Sequence, residues 1–282
     1  MMKAHPTARS FLAATRSMLE EREAENNLIL GLATTLAGDR TYYGEAPPLL
    51  VSVHAGEACI GAALRTPPRN IILYARPGAA TTFVRQLCTY LVAEGIRIPG
   101  VIGPKETVAR FSEAWARQAG AQPIVEVREM VYRLDTVTAV PVAPGRFRRA
   151  EDSDRELLRE WMLQFHAEAV EPISAVEAAQ LTDRKLLEGA LYVWEREAPV
   201  SLAGWVRPTR NGITIGPVYT PEAHRGKGYA TSCVARLSDL LLEEYSFCSL
   251  FTDLSNPVSN SIYQKIGFRP INPVLQTRFE YR

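Results

Sequence analysis

Two hydrophobic periods alternate along this chain, one helical and one extended, and the same succession of them occurs twice. Residues 7–36 set Phe11, Leu12, Met18, Leu28, Ile29 and Leu32 among charged neighbours, which predicts a mostly helical stretch. After Pro47-Pro48 come three strand-like runs, Leu49–His54, Cys59–Arg65 and Asn70–Ala75, broken by Ala55-Gly56-Glu57 and Thr66-Pro67-Pro68. Phe83, Leu87, Leu91 and Val92 then recur on one helical face, predicting a helix over about 79–94 that Gly95 ends. Val101-Ile102 reads as a short strand and Lys105–Ala119 as a helix with Phe111 and Trp115 inward, stopped at Gly120. Strand character resumes over Ile124–Leu134.

Val140–Gly145, Val-Pro-Val-Ala-Pro-Gly, has the composition of a linker. Beyond it Phe147–Arg149 predicts a strand, and Asp152 or Asp154 an N-cap for a helix built on Leu157, Leu158, Trp161, Met162 and Phe165. A second helix is expected at roughly 175–188, then strands at Leu191–Glu195, Val200–Val206 and Ile213–Tyr219, the last two joined by an Asn-Gly turn. A helix at about 228–243, a strand Cys248–Thr252, a helix at about 257–266 and a final strand region to Arg282 complete the pattern. Both halves thus run hairpin strands, helix, strand, helix, strand. The reading is an α/β (α+β) protein of two domains, 1–140 and 146–282, each long enough to bury its own core.

Composition narrows the function little. The chain is 46% hydrophobic and 22% charged with a net charge of +1, so neither nucleic acid nor an anionic membrane is the expected partner. The basic run Arg146-Phe147-Arg148-Arg149 is read as a solvated strand edge. Cys59, Cys88, Cys233 and Cys248 are widely separated, form no C-x-x-C pair and read as small buried hydrophobes; no metal is expected. No run of 18 apolar residues occurs, and no basic-then-apolar leader opens the chain, so a cytoplasmic, reducing location is expected.

The informative segment is Ile213–Ala230, a strand leading through a glycine-rich turn into a helix. A helix start leaves backbone N–H groups without partners and adds positive potential, which suits an anion. Gly226 and Gly228 clear side chains from the approach, Arg225 and Lys227 add charge, and Ala230 keeps the helix start slim. Thr231 stands where a dinucleotide turn has its third glycine, and no Walker A run occurs.

Arg225-Gly226-Lys227-Gly228-Tyr229-Ala230 resembles the acyl-CoA pyrophosphate loop of the GNAT superfamily of N-acetyltransferases, Q/R-x-x-G-x-G/A. Some 25 residues on, Asn256, Tyr263, Gly267 and Phe268 stand at the spacing of that superfamily's second signature. The resemblance covers about residues 146–275 and implies a fold of two tandem GNAT-like domains, each a mixed, mostly antiparallel sheet flanked by helices, with the N-terminal copy degenerate. It implies a sheet splayed between 213–219 and 248–252, pantetheine against the backbone of Val218, Tyr219 and Thr220, and pyrophosphate on the amides of 226–230 with Arg225, Gly226, Lys227, Gly228, Tyr229 and Ala230 around it. Asn256 would bond pantetheine or fix its loop, and Tyr263 would face the thioester sulfur as proton donor.

Bland roles stand beside these. Asn256 before Pro257 is an N-cap in its own right, Gly267 a C-cap, Tyr263 a packing residue, His224 a solvated loop residue. The implied reaction moves an acetyl group from acetyl-CoA, the acyl-donor cosubstrate, directly to an amine of a small molecule or protein; a non-catalytic acyl-CoA-binding regulatory domain is the alternative. The strand 213–219 has no acidic residue, so the general base falls to Glu168 or Glu171, three apart and able to share a helical face, or to water; both also read as solvated carboxylates. Phe165, Trp205 and Tyr219 line the acceptor pocket or pack the core. In the N-terminal half the corresponding turn, Tyr74–Ala80, lacks paired glycines and holds Pro77, which has no N–H, so no productive cofactor binding is expected there.

Overall fold

The computed structural model describes residues 1–169 and 171–281. The chain divides into two compact units: Met1–Val131 with Asp253–Ser255 and Pro270–Arg282, and Tyr132–Thr252 with Asn256–Arg269.

The first unit holds, in chain order, β1 (Met2–Ala4), α1 (Ala8–Glu20), α2 (Asn27–Gly38), β2 (Leu49–Ala55), β3 (Ala58–Arg65), β4 (Ile71–Ala75), α3 (Ala80–Ala93), β5 (Gly100–Pro104), α4 (Lys105–Ala119) and most of β6 (Ala121–Leu134). The predicted helical stretch 7–36 is two helices. The Asn26 amide donates to the Leu19 carbonyl at 2.9 Å, satisfying an end of α1 and turning the chain before α2. One face of the sheet packs Leu50, Ala62, Leu64 and Tyr74 on α1 and α2, the other Val51, Val53, Ala63 and Leu73 on α3 and α4. That alternation is the two-residue period of a strand buried on both faces. In α4, Val108, Phe111, Ser112 and Trp115 form the buried stripe, and Gly120 closes the helix at φ 64°.

The second unit holds β7 (Arg146–Arg149), α5 (Arg155–Ala169), α6 (Ala175–Glu188), β8 (Leu191–Glu195), β9 (Pro199–Val206), β10 (Gly212–Tyr219), α7 (Tyr229–Leu242), β11 (Phe247–Asp253) and α8 (Pro257–Ile266). Its strands run β11-β10-β9-β8-β7, antiparallel except for the β10–β11 pair. Leu158, Trp161 and Met162 of α5 pack with Leu191, Val193 and Leu202. Buried Cys233 of α7 donates to the Tyr192 carbonyl at 4.0 Å, which places α7 against β8. Cys88, Cys233 and Cys248 are buried and Cys59 is half-buried. Each half is a mixed, mostly antiparallel sheet flanked by helices.

Two expectations need correction. The final strand, β12 (Arg269–Tyr281), was expected with the C-terminal half; it lies between β5 and β6, pairing antiparallel with β5 from Val274↔Pro104 to Arg278↔Gly100. Tyr281 anchors it, its hydroxyl 2.7 Å from the Ile98 carbonyl and 3.1 Å from Trp115 Nε1. The basic run on β7 is not uniformly solvated. Arg146 is exposed, but Arg148 bonds both Asp154 and Glu195 and its side chain is 18% exposed. No helix among the described residues is long and apolar enough to cross a membrane.

Candidate functional site

The site in the second unit begins where two parallel strands part. β10 and β11 pair through Gly212↔Phe247, Ile213↔Cys248 and Thr214↔Ser249, and among the described residues no pair follows. Beyond that point the β10 register against β9 shifts between Ile215 and Val218, and Pro217 has no N–H to offer a neighbouring strand. Val218 and Tyr219 still pair with Ala203 and Leu202 of β9, so the opening is on the β11 side.

From Tyr219 the chain runs through Thr220, a single 3-10 turn at Glu222–His224, and Arg225 to the start of α7. Gly226 and Gly228 sit at φ 74° and 80°, backbone that a side chain strains. A Cβ at Gly226 would meet nothing within 4 Å, and one at Gly228 would meet only Ala143 Cβ, at 3.7 Å. The space over both glycines is therefore open, and their need for glycine is conformational. Gly228 is the N-cap of α7 and no side chain caps it. A helix start of this kind presents bare amides to a rounded anion.

The cations beside it are held by the protein. Lys227 Nζ donates to the Ala223 carbonyl at 2.9 Å, and Arg225 donates from Nε to the Thr220 carbonyl at 2.8 Å and from a terminal nitrogen to Glu168 Oε2 at 2.6 Å. The Tyr229 side chain is buried, which leaves its amide as its contribution to the loop; Ala230 is half-buried.

Across the opening, Asn256 caps α8 by accepting the Ser259 N–H at 3.0 Å, with Pro257 at the first helical position. Gly267 closes the helix at φ 110°. Tyr263 is 8% exposed and meets Phe268 edge-to-face, the ring centroids 5.9 Å apart. Burial pushes its phenol up to about 12, so the ring carries its proton at neutral pH. The buried Tyr132 hydroxyl holds α8 from below, donating to Asn260 Oδ1 and accepting from Gln264 Nε2, both at 3.1 Å.

The two acidic candidates separate. α5 ends at Ala169, so Glu171 lies beyond the helix and does not share a face with Glu168; it is exposed, and its carbonyl is 3.2 Å from His166 Nδ1. Glu168 pairs with Arg225 and lies 3.4 Å from the Tyr219 hydroxyl. That hydroxyl donates at 2.7 Å to Gln164 Oε1, a partner the sequence reading missed because α5 and β10 meet only in the folded chain. Burial first, then the Glu168 charge, raises the Tyr219 phenol. Phe165 packs on the α5–α6 core, Trp205 lies 5.6 Å under the Lys185 ammonium, and half-buried His224 stands 6.5 Å from the Tyr229 ring. Among the described residues no group of three or more His, Cys, Asp or Glu is placed to hold a metal ion.

Each half has a pair of parallel strands joined through a helix, and the second half adds a glycine-started helix after the first of them and an Asn-capped helix after the second; this is the architecture of the GNAT fold. More particularly, residues 193–278 match the family described as FR47-like protein, a GNAT-type domain. Among solved structures, the chain is similar to a GCN5-related N-acetyltransferase from Sphaerobacter thermophilus, 15% identical with a TM-score of 0.64 over 99% of this chain and 94% of that one. It is similar over its full length to a GNAT-family acetyltransferase from Colwellia psychrerythraea, 10% identical, TM-score 0.57, with 100% of both chains covered. A tandem GNAT protein from the clavulanic acid biosynthesis pathway, without AcCoA, is 13% identical with a TM-score of 0.57 over 99% and 98% of the two chains. No curated protein matches in sequence. At these identities the structural likeness carries the fold.

Proposed function

We propose that the chain is an acyl-CoA N-acyltransferase that moves an acetyl group from acetyl-CoA to an amine of a small molecule or protein. The observation that carries this reading is the open space over Gly226 and Gly228 at an uncapped helix start, placed at the end of the strand that parts from β11. Those amides and Lys227 fit a diphosphate, and the β11 side of Val218–Thr220 fits an extended, amide-bearing arm such as pantetheine. Asn256 fixes the opposite lip of the opening by capping α8.

The donor supplies a thioester. The amine nitrogen bonds to its carbonyl carbon, the C–S bond breaks, the amine's proton passes to a base, and the sulfur leaves as a thiolate or thiol. An alkyl amine with a pKa of about 10 must first lose a proton, so the base matters. Glu168 is paired with Arg225, and the acceptor of that proton is assigned to Glu171 or to water. Tyr263, neutral at physiological pH, is the donor to the leaving sulfur. Backbone N–H at Val218–Tyr219 is suited to polarise the thioester carbonyl.

A second reading, an acyl-CoA-binding module without turnover, draws on the burial of the Tyr263 ring against Phe268. One experiment separates them. Calorimetric titration with CoA tests binding, and a panel of amines with acetyl-CoA, followed by free thiol, tests transfer. Binding with amine-dependent thiol release supports the enzyme; binding without release from any amine supports the module; no binding removes both.

A further inference from the structure

Each unit ties a helix to the loop that follows one of its strands by an arginine–glutamate ion pair, beside a tyrosine held by an amide side chain. In the second unit the members are Tyr219, Gln164, Glu168 and Arg225. Tyr219 ends β10 and its hydroxyl bonds Gln164 of α5; Glu168, one helical turn on, pairs with Arg225; the Arg225 guanidinium lies 5.9 Å from the centre of the Tyr219 ring. In the first unit the members are Tyr74, Asn26, Glu21 and Arg76. Tyr74 stands near the end of β4 and is hydrogen-bonded by Asn26, while Glu21, just past α1, pairs with Arg76 in the loop before α3. The order of the helix-side partners differs, so the correspondence is one of contacts, not of sequence spacing.

The comparison separates two roles for the arginine. The first-unit loop contains Pro77, and Gly78 at φ 80° is its one residue in the left-handed region, so it lacks the paired glycines of 226–228. The arginine–glutamate tie is present there all the same. A contact that persists where the anion cradle is missing answers to the need to hold the loop. The donors agree. Arg225 gives Nε to Thr220 within the loop and a terminal nitrogen to Glu168 of α5, so two of its five donors already join the loop to the helix.

We propose that Glu168 is a positioning residue: through its ion pair with Arg225 it ties the loop 220–228 to α5, and Arg225 is the strut of that tie rather than a phosphate ligand. The proposal deepens the acyl-CoA reading by assigning the phosphate contacts to the amides of 226–230 and to Lys227, and by removing Glu168 from the candidates for general base. Both partners are about half exposed, so the tie has the modest strength of a surface pair.

The test uses the full chain and the variants Glu168→Gln, Arg225→Gln, the double variant, and Lys227→Gln. Without ligand, amide hydrogen exchange of the 220–230 segment should rise by the same factor, about 2–5-fold, in both single variants and no further in the double. Unchanged exchange in that segment overturns the tie whether or not the protein binds CoA. With CoA, both single variants should weaken binding by about the same 2–5-fold, the double no more, and Lys227→Gln should weaken it independently. In turnover, KM for acetyl-CoA should rise in Glu168→Gln while kcat stays within about twofold and its pH profile keeps its shape. Tighter CoA binding in Glu168→Gln, beside weaker binding in Arg225→Gln, would make Arg225 a phosphate ligand and overturn the assignment. So would a collapse of kcat in Glu168→Gln with KM unchanged, which marks a base. If wild type binds no CoA, the acyltransferase reading fails, and the exchange result alone judges the tie.

Discussion

Thr214 Oγ1 and Ser249 Oγ lie 3.0 Å apart at the last register pair joining β10 to β11. Both residues are buried, so the hydroxyls satisfy one another where water cannot. The contact closes the paired stretch on one side and sets the apex of the opening on the other. Thr214→Val should leave the Ser249 hydroxyl with the longer 3.4 Å contact to the Ile213 carbonyl as its remaining bond, at a cost of about 1 kcal/mol. Urea denaturation reads the loss, and Thr214→Val with Ser249→Ala should recover part of it, since removing both partners spares the unpaired group.

Gly228→Ala separates the conformational role of this glycine from its proposed role in binding. Its φ of 80° strains a side chain by about 1–2 kcal/mol, while the new Cβ meets Ala143 Cβ at an ordinary 3.7 Å. The expected outcome is a stability loss of roughly that size by denaturation and, in calorimetry, CoA affinity lowered by more than tenfold. A variant that loses stability but binds CoA as wild type does would place the phosphates elsewhere.

Tyr263→Phe keeps the ring that packs on Phe268 and removes the hydroxyl. Stability should stay within about 0.5 kcal/mol of wild type. If the phenol protonates the leaving sulfur, kcat should fall by about 100-fold or more with CoA binding retained. A turnover within a few-fold of wild type assigns Tyr263 to packing.

Much of this architecture is legible along the chain. α6 falls at Ala175–Glu188 as its pattern predicts, because Ser174 and Glu177 form a reciprocal capping box and Gly189 closes the helix at φ 66°. Asn256 is readable as a cap for the same reason: its partner is three residues away. The turn between α1 and α2 is not, since it depends on Asn26 reaching back to Leu19 against a continuous hydrophobic period. Nor is the seat of β12, whose alternation would suit any sheet edge; Tyr281 finds Ile98 across 183 residues of sequence. The Arg225–Glu168 pair spans 57 residues, and a motif that records charge beside a glycine turn does not record where that charge is committed. Local hydrogen bonds leave local signatures, and long-range ones leave residue types without addresses.

Alkaline stability should follow the buried acids. Burial pushes the Cys88 and Cys248 thiols and the Tyr263 phenol each up to about 12. In the unfolded chain thiols release their protons near 8.5 and a phenol near 10. Between those values and about 12 the unfolded state holds fewer protons than the folded one, so stability falls as pH rises. Below about pH 8 these groups should contribute no slope. Denaturation midpoints at pH 7, 8, 9 and 10 test this; a midpoint that rises across the last three contradicts it.

Arg148 makes the opposite limb testable. Its guanidinium grips Asp154 with two donors at 2.7 and 2.9 Å and reaches Glu195 Oε1 from Nε at 2.8 Å, with the Asp154 side chain 7% exposed. Burial pushes the Asp154 carboxyl up, but bonds from Arg148 and the Glu151 N–H outweigh it and hold the group below its ordinary value. A carboxyl so lowered stabilises the fold above its unfolded pKa of about 3.9, and that contribution is lost as pH falls below it. In Arg148→Met the burial penalty stands without its counterweight, so the variant should lose about 2–3 kcal/mol at neutral pH and begin its acid unfolding at a higher pH than wild type. Arg148→Lys keeps the charge but has one ammonium for two carboxylates and should recover less than half of the loss. Urea titrations from pH 3 to 7 read both effects. An acid limb in Arg148→Met that overlays wild type would mean Asp154 owes its low pKa to the Glu151 amide alone.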